Sequence, residues 1–490
     1  MIPLFYKLRN GIKIKNHGDS VLVISEIPLN VIKISERIAK MLKLCDGTKD
    51  LVQIAQKVGL PGNEYVFGVC EYFRKKGVLE VAFNEEKLRN LPFVSIIIPT
   101  KDRIIELKEC VQSIISQNYP SNKLELIIID DGSKDGTVEF LKKFPIQVLS
   151  NRISKGQSYC RNLGARKANG DILAFIDSDC IASENWLLEL VPYFNWNKIG
   201  AVGGFVDGYY KESTLDLYEK VFSPLNMGDN LLYSSDDDSS FYVPTCNLLI
   251  LKKVFFEIGG ITESLHVGED VDLCWRMRQK GYYLIYVPLG VVKHKHRNKL
   301  TKMIKRRFDY GTSEALLYTL HKEKKKILQL PPFAFFTFLS FCMAIIFLSP
   351  FLLLPGIGCF FIDGLQKANR LRALSVGIPI WKVFFSIIRS YFSFFYFASF
   401  HLVSYYISFL VLAGCIFYPL WFFCLFVFFF SFFVDYSLKK PMVSIPAYMF
   451  YYAAEHISYQ IGVFVGALRL GEFGHYIPKV IRRNIRYQYN

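Results

Sequence analysis

A parallel α/β domain, with a small winged-helix-like module before it and an α-helical membrane region after it, is the architecture this sequence predicts. Three observations carry that expectation. From Pro92 onward, short aliphatic runs alternate with helical patterns, and acidic residues sit where the runs end. Residues 333–361 carry no charge, and 391–434 are nearly as apolar. The first 83 residues follow a different rhythm of short alternating strands and amphipathic helices.

Composition narrows the function classes. The chain has 490 residues, 51% of them hydrophobic and 16% aromatic, and a formal net charge of +16. A mean hydropathy of +0.23 excludes a disordered basic tail, and collagen or a small disulfide scaffold is excluded too. The 11 Cys show neither metal-ligand spacing nor a paired framework, which reads as free thiols of a reducing compartment.

In residues 1–83, Gly11–Lys15 and Val21–Ile24 alternate around His17-Gly18-Asp19 and predict a hairpin. Ser35 is placed to cap a helix through Leu44, with Ile38, Met41 and Leu42 on one face and Asp46-Gly47 as its stop. Asp50–Val58 and Asn63–Lys76 predict two more helices, and Gly77 ends the last before a strand at Val78–Val81. Nothing there has catalytic grouping. Residues 84–92 read as a polar linker.

The α/β domain is expected over 93–300. Strands are predicted at Val94–Pro99, Leu124–Ile129, Ile146–Leu149, Leu173–Ile176 and Tyr282–Val287, and helices at Glu106–Gln117, Thr137–Lys143 and Ser158–Ala168. Ligands of such a sheet gather at the carboxyl ends of its strands.

Two acidic sites lie at those ends. In Asp177-Ser178-Asp179 the carboxylates stand at i and i+2, on one side of an extended chain. Two convergent oxygen donors suit Mg²⁺ or Mn²⁺ on a diphosphate, although a solvated turn would look the same. Asp130-Asp131-Gly132-Ser133 reads as a turn and helix cap, or as an acceptor of hydrogen bonds from a nucleoside. Glu269-Asp270 opens a helical pattern, so it serves as an N-terminal cap or as a general base near an acceptor hydroxyl. Lys293-His294-Lys295-His296-Arg297 is a basic surface loop unless a histidine completes a metal shell.

The apolar region, 331–436, predicts membrane helices, since a span needs roughly 20 apolar residues. Pro350 and Pro355 make its first stretch either one kinked span or a re-entrant hairpin, and Arg389 and His401 put the next piece at the interface or at the start of a tilted helix. Lys302, Lys305, Arg306 and Arg307, within a basic juxtamembrane helix over 301–330, precede it; Lys367, Arg370, Arg372 and Lys382 interrupt it, and Lys439-Lys440 follow it. By the positive-inside rule these face the cytoplasm, with an even number of crossings between them and a cytosolic segment at 437–490. The first residues lack an apolar signal core, so the part before Lys326 is expected in the cytosol at the cell membrane. The basic excess then faces anionic lipid, and nucleic acid is not needed to explain it.

Val94–Thr100, Asp130–Ser133, Lys155-Gly156 with Arg161-Asn162-Leu163-Gly164-Ala165, Asp177-Ser178-Asp179 and Glu269-Asp270 resemble, in this order, the motif set of family 2 glycosyltransferases with the GT-A fold. That resemblance covers roughly 93–297. It implies that Thr100, Asp102 and Asp131 contact a uridine-type nucleoside and Asp177 the ribose, with Pro99, Arg103, Lys155 and Asn162 beside them at the nucleotide-sugar site. It further implies Mg²⁺ or Mn²⁺ on Asp179, with Asp177 and His294 as further ligands. Asp270 would be the base, with Glu269 at its side, and Arg276 a phosphate contact. Residues 30–81 resemble PqqD-type peptide-recognition domains. His456–Leu468 resembles the tail of mycofactocin-system glycosyltransferases, which implies a peptide or peptide-derived acceptor and transfer of glucose. The processive synthases fit less well, because no Q-x-x-R-W element follows Asp270.

Overall fold

The computed structural model describes residues 5–17, 20–26, 29–60, 63–82, 91–195, 198–234, 241–324, 326–374 and 377–481. Most of the expected linker 84–92, the turn residues Gly18 and Asp19, and the end of the expected cytosolic segment lie outside them. The chain divides into two compact units: residues 1–86, 327–434 and 479–490 form one, and 87–326 with 435–478 form the other.

The first 82 residues give β1 (Phe5–Leu8), β2 (Lys13–His17), β3 (Ser20–Glu26), β4 (Leu29–Ile34), α1 (Glu36–Leu44), β5 (Asp46–Asp50), α2 (Leu51–Val58), α3 (Asn63–Lys75) and β6 (Leu79–Ala82). The Ser35 hydroxyl accepts the Ile38 N–H at the start of α1, and Asp50 and Gln53 form a reciprocal capping box on α2. The expected hairpin is a three-stranded meander β2–β3–β4, because Leu29–Ile34 continues the alternation that brings Ile32 and Ile34 to the core. Asp46-Gly47 does stop α1, and the chain then enters β5, which pairs with β1. Tyr6, Met41, Leu42, Ile54, Val66 and Phe73 fill the centre.

The second unit is built on β7 (Val94–Thr100), α4 (Ile104–Ile115), β8 (Leu124–Asp130), α5 (Thr137–Leu141), β9 (Gln147–Ser150), α6 (Gln157–Lys167), β10 (Ile172–Ile176), β11 (Cys180–Ala182) and α7 (Trp186–Leu190). It continues through β12 (Ile199–Gly203), β13 (Val206–Gly208), α8 (Thr214–Phe222), β14 (Leu232–Ser234), β15 (Asn247–Leu251), α9 (Lys252–Glu257), α10 (Glu269–Gln279), β16 (Tyr283–Tyr286), β17 (Val292–His294) and α11 (Leu300–Leu320). Eight strands form one sheet in the order β14-β16-β12-β15-β10-β7-β8-β9, and β11-β17-β13 form a second, small sheet.

Strands β9, β8, β7 and β10 are parallel, as the βα alternation predicts. The sheet as a whole is mixed, because β15 runs antiparallel to both β10 and β12. An apolar run such as Asn247–Leu251 announces a buried strand without its direction. The chain reaches β15 through the small sheet and α8 rather than through one crossover helix. Every residue of β7 and β10 is buried, so both faces of the sheet centre are covered.

Beyond β18 (Ile327–Gln329) come α12 (Pro332–Ile346), α13 (Leu354–Ala373), α14 (Ile380–Tyr405), α15 (Ile407–Gly414), α16 (Leu420–Lys439) and α17 (Ile445–Leu470), then β19 (Lys479–Ile481), which pairs with β18. Among the described residues, Pro350–Ala373, Ile380–Tyr405 and Leu420–Lys439 are long and apolar enough to cross a membrane. The stretch read as one kinked span or a hairpin is two helices, α12 and α13, which break at Leu348–Pro350. They are held together by Ser340, whose hydroxyl reaches the Leu352 carbonyl and accepts the Gly356 N–H. The piece with Arg389 and His401 is one continuous helix, α14.

Helix α17 belongs to the second unit and lies against α11 at backbone distance. A Cβ on Gly466 would come within 2.6 Å of the Thr312 carbonyl, and one on Gly462 within 3.1 Å of the Gly311 Cα. Arg307 of α11 pairs with Glu219 of α8 at 2.8 Å and with Glu455 of α17 at 3.2 Å, and Tyr218 donates to Glu455. This contact explains the spacing of Gly462 and Gly466 in the tail motif: a small residue every fourth position lets two helix backbones meet. Gly466→Leu and Gly462→Leu should each lower stability by about 1–3 kcal/mol or more, the cost of overpacking a filled contact. The measurement is thermal unfolding of the detergent-solubilised chain, and midpoints equal to the parent's would refute the contact.

Candidate active site

At the carboxyl edge, Thr100 and Asp130 are paired across β7 and β8, which sets the loops after them side by side. The Asp102 N–H donates to the Ser133 hydroxyl, and the Asp102 carboxylate accepts the Lys134 N–H at 2.8 Å. Asp102 holds a left-handed backbone with φ 49°, a conformation a non-glycine residue keeps only when fixed by its surroundings. The Thr100 hydroxyl is buried without a hydrogen-bond partner, beside Pro99 in the same strand.

Asp131 is held differently. Its carboxylate accepts from Asn151 Nδ2, Ser154 Oγ and the backbone N–H groups of Lys155 and Gly156, all at 2.6–2.9 Å. Burial raises its pKa, but these four donors outweigh it and hold the group at about 2. Lys155 thus meets the site through its backbone, while its ammonium rests over the Tyr159 ring at 4.4 Å.

The turn after β10 carries Asp177 and Asp179 into the mouth of the small sheet. Asp179 is nearly buried, ion-paired to Arg103, and 3.6 Å from His294 Nε2. Burial pushes its carboxyl up, yet His294, Arg103 and Arg297 prevail and keep it below the usual carboxylate range. The buried Oδ1 of Asp179 has no hydrogen-bond partner. Asp179, Cys180 and His294 offer ligand atoms within 4.8 Å of one another, because Cys180 and His294 stand opposite in the β11–β17 ladder. An orphaned carboxylate oxygen beside an imidazole fits a divalent cation, and Cys180 adds a softer donor.

Helix α10 starts at Gly268, whose φ is +82° and where a Cβ would meet Leu317 at 3.0 Å and Ser313 at 3.3 Å. Glu269 follows, buried, accepting from Gln157 Nε2 at 2.7 Å. Asp270 keeps some exposure, but protein encloses its carboxyl closely. Burial, joined by the charge of Glu269, pushes its pKa up to about 7, against the opposing pull of Arg161 and Arg306.

The two acidic sites are joined by Arg161, 1% exposed on α6. Its Nη2 donates to Asp177 at 2.6 Å and its Nη1 to Glu269 at 3.3 Å. Burial opposes its charge, but the two carboxylates raise its pKa further above the ordinary arginine value. Sequence reasoning quoted this arginine inside a motif and gave it no role. The signal was α6 itself, where Ser158, Cys160, Arg161, Asn162, Gly164 and Ala165 are all buried and leave no ordinary apolar stripe.

Two residues expected at the donor are engaged elsewhere. Arg276 grips Asp272 at 2.7 Å and the Ile258 carbonyl, an i,i+4 pairing along α10 that turns it away from the strand-end carboxylates. Asn162 donates to the Ile261 carbonyl and Glu263 and accepts the Ile261 N–H, which fastens the turn after α9.

The mixed α/β sheet thus sets an acidic pair beside an imidazole at the end of β10, and Arg161 ties it to a second acidic pair at the start of α10. Residues 95–259 match the model of the family described as Glycosyl transferase family 2. The chain is 32% identical over 238 residues to the pre-mycofactocin glycosyltransferase of Mycobacterium tuberculosis, a match covering 47% of this chain and 48% of that relative. It thus spans about half of that relative's length. It is 24% identical over 317 residues, 61% of this chain and 95% of the relative, to a dolichyl N-acetyl-alpha-D-glucosaminyl phosphate 3-beta-D-2,3-diacetamido-2,3-dideoxy-beta-D-glucuronosyltransferase of Methanococcus voltae. Among solved structures it is similar to a mannosyltransferase from Pyrobaculum calidifontis in complex with GDP-Man and Mn²⁺, at 18% identity and a TM-score of 0.38, covering 61% of this chain and 86% of that one.

Removing Arg161 leaves the buried Glu269 and the partly buried Asp177 without their shared cation. Arg161→Met should therefore cost about 3–5 kcal/mol of stability, and Arg161→Lys less, read from denaturant unfolding. A stability loss below 1 kcal/mol in Arg161→Met would show that the bridge does not hold these elements together.

Proposed function

We propose that the protein is an inverting, metal-dependent hexosyltransferase that takes a sugar from a nucleotide diphosphate, UDP by preference, and passes it to an acceptor hydroxyl. The observation that carries this reading is the pair of acidic sites joined by Arg161: a metal-competent carboxylate at one end and a carboxyl poised near neutrality at the other.

The resemblance to family 2 glycosyltransferases supports the following roles. Thr100, Asp102 and the loop around Asp131 receive the nucleoside, and Asp177 orients the ribose. Asp179 and His294 would hold Mg²⁺ or Mn²⁺, with Asp177 adjacent; when bound, the ion neutralises the departing diphosphate. Arg103 stands beside Asp179 and adds positive charge at the same place. Asp270 takes the proton of the acceptor hydroxyl, and Glu269, tied to Arg161 and Gln157, supplies the negative charge that keeps Asp270 basic.

For the acceptor, we favour a mycofactocin-like, peptide-derived product, with residues 1–83 acting as a PqqD-like peptide-recognition module and the catalytic part on the cytoplasmic face of the cell membrane. The likeness to a pre-mycofactocin glycosyltransferase and the tail motif support it. A second reading, a lipid-directed transferase, is favoured by the three apolar helices and the dolichyl-phosphate-directed relative. Genomic neighbourhood separates them: a radical-enzyme and short-peptide cluster supports the first, polysaccharide genes the second.

Two outcomes test the chemistry with detergent-solubilised protein, Mn²⁺ and a panel of UDP- and GDP-sugars. Asp270→Asn should lower transfer by about 10²–10⁴-fold, the usual worth of a general base, while the nucleotide still binds. Turnover that survives it would remove Asp270 from the base role. Because the base acts ionised and its pKa lies at about 7, kcat/KM should be full above that pH and fall about tenfold per unit below it. A profile flat from pH 5 to 8 would contradict a carboxyl so placed. Chelation of the metal should abolish turnover, and Asp179→Asn should weaken Mn²⁺ binding measured directly.

A further inference from the structure

One cation near the candidate base has no carboxylate to match it. On α11, residues 306, 310, 313 and 317 share a face, spaced by three and four. Ser313 and Leu317 of that face pack on Gly268, immediately before Glu269 and Asp270. The next turns along the helix therefore carry Tyr310 and Arg306 past the start of α10.

The guanidinium of Arg306 lies over the Tyr310 ring, 4.6 Å from its centroid. Arg306 and the Glu269–Asp270 pair are near enough for their charges to act on each other. Even so, among the described residues no carboxylate comes within 4.0 Å of Arg306. Its chain neighbour Arg307 is buried between Glu219 and Glu455, and Glu269 already has Arg161. Arg306 is half-buried, held at a fixed angle, and keeps most of its five donors free.

We propose that Arg306, steadied by Tyr310, is an acceptor-binding residue that takes an oxyanion, a phosphate or carboxylate, carried by the acceptor next to the hydroxyl that Asp270 activates. The side of the site matters here. The donor's diphosphate belongs with Asp179, His294 and Arg103 at β11 and β17, whereas Arg306 faces the acceptor side at α10. Tyr242, whose hydroxyl donates to the Pro224 carbonyl, stands near Asp270 and Tyr310 and adds an aromatic surface for the rest of the acceptor. A planar fork on an aromatic support is the geometry that binds phosphate or carboxylate in two-point fashion.

The inference rests on the glycosyltransfer reading, so its test uses binding rather than turnover. Dodecyl phosphate and dodecanoate, with neutral dodecyl glucoside as the control, are titrated calorimetrically into the full detergent-solubilised chain and its variants. Arg306→Gln should weaken at least one of the anionic probes about tenfold, Arg306→Lys less, and Tyr310→Phe by a few fold, with the neutral probe alike in all. Loss with phosphate alone points to a phosphorylated acceptor, and loss with dodecanoate as well to a carboxylate-bearing one. Equal affinity of both anions across all variants overturns the proposal. So does a parallel loss of UDP·Mn²⁺ affinity, which would place Arg306 on the donor. Absence of donor turnover in the parent protein, assayed separately, counts against the transferase reading and leaves the binding result to decide this one.

Discussion

Arg161 is the residue on which the catalytic unit is organised. A guanidinium taken out of water costs several kcal/mol unless its charge is met by well-placed carboxylates. Here the partners lie 16 and 108 residues away, on the turn after β10 and on α10. Burying the arginine therefore forces two distant segments to one place. Gln157, at the start of α6, adds a second bond to Glu269. The turn after β10 and the start of α10 are then fixed at one separation by a single planar group.

The site is a row of alternating charge rather than a pool of acid. His294 and Arg103 stand at Asp179, Arg161 lies between Asp177 and Glu269, and Arg306 faces Asp270 from α11. Each carboxylate thereby acquires its own character from its neighbours. Asp131 receives four donors and is held strongly ionised, whereas at Asp270 burial and the like charge of Glu269 outweigh Arg161 and Arg306. Two aspartates of one domain are thus tuned in opposite directions by hydrogen bonding and burial. The first is a fixed anchor for the 151–156 loop, and the second is a group able to exchange a proton near neutral pH.

Much of this could be read from residues alone. Strands such as Val94–Thr100 and Ile172–Ile176 are continuous apolar runs, and the acidic residues at their ends stand out against them. Capping residues Ser35 and Asp50 located their helices within one position. What sequence could not give was direction and pairing. The antiparallel course of β15 depends on the path of the small sheet, which no local periodicity encodes. The family resemblance implies Arg276 as a phosphate contact; in the structure it pairs with Asp272, four residues earlier. Arg161 and Arg306 were invisible for the complementary reason: their partners come from other elements, and only the fold brings those together.

The meeting of α11 with α17 fixes the two ends of the apolar region close together. These helices flank the whole apolar region, yet their backbones touch at Gly311, Gly462 and Gly466. The elements that precede and follow residues 327–434 are thus held side by side. Among the described residues, three helices between them have the length and apolarity to cross a membrane.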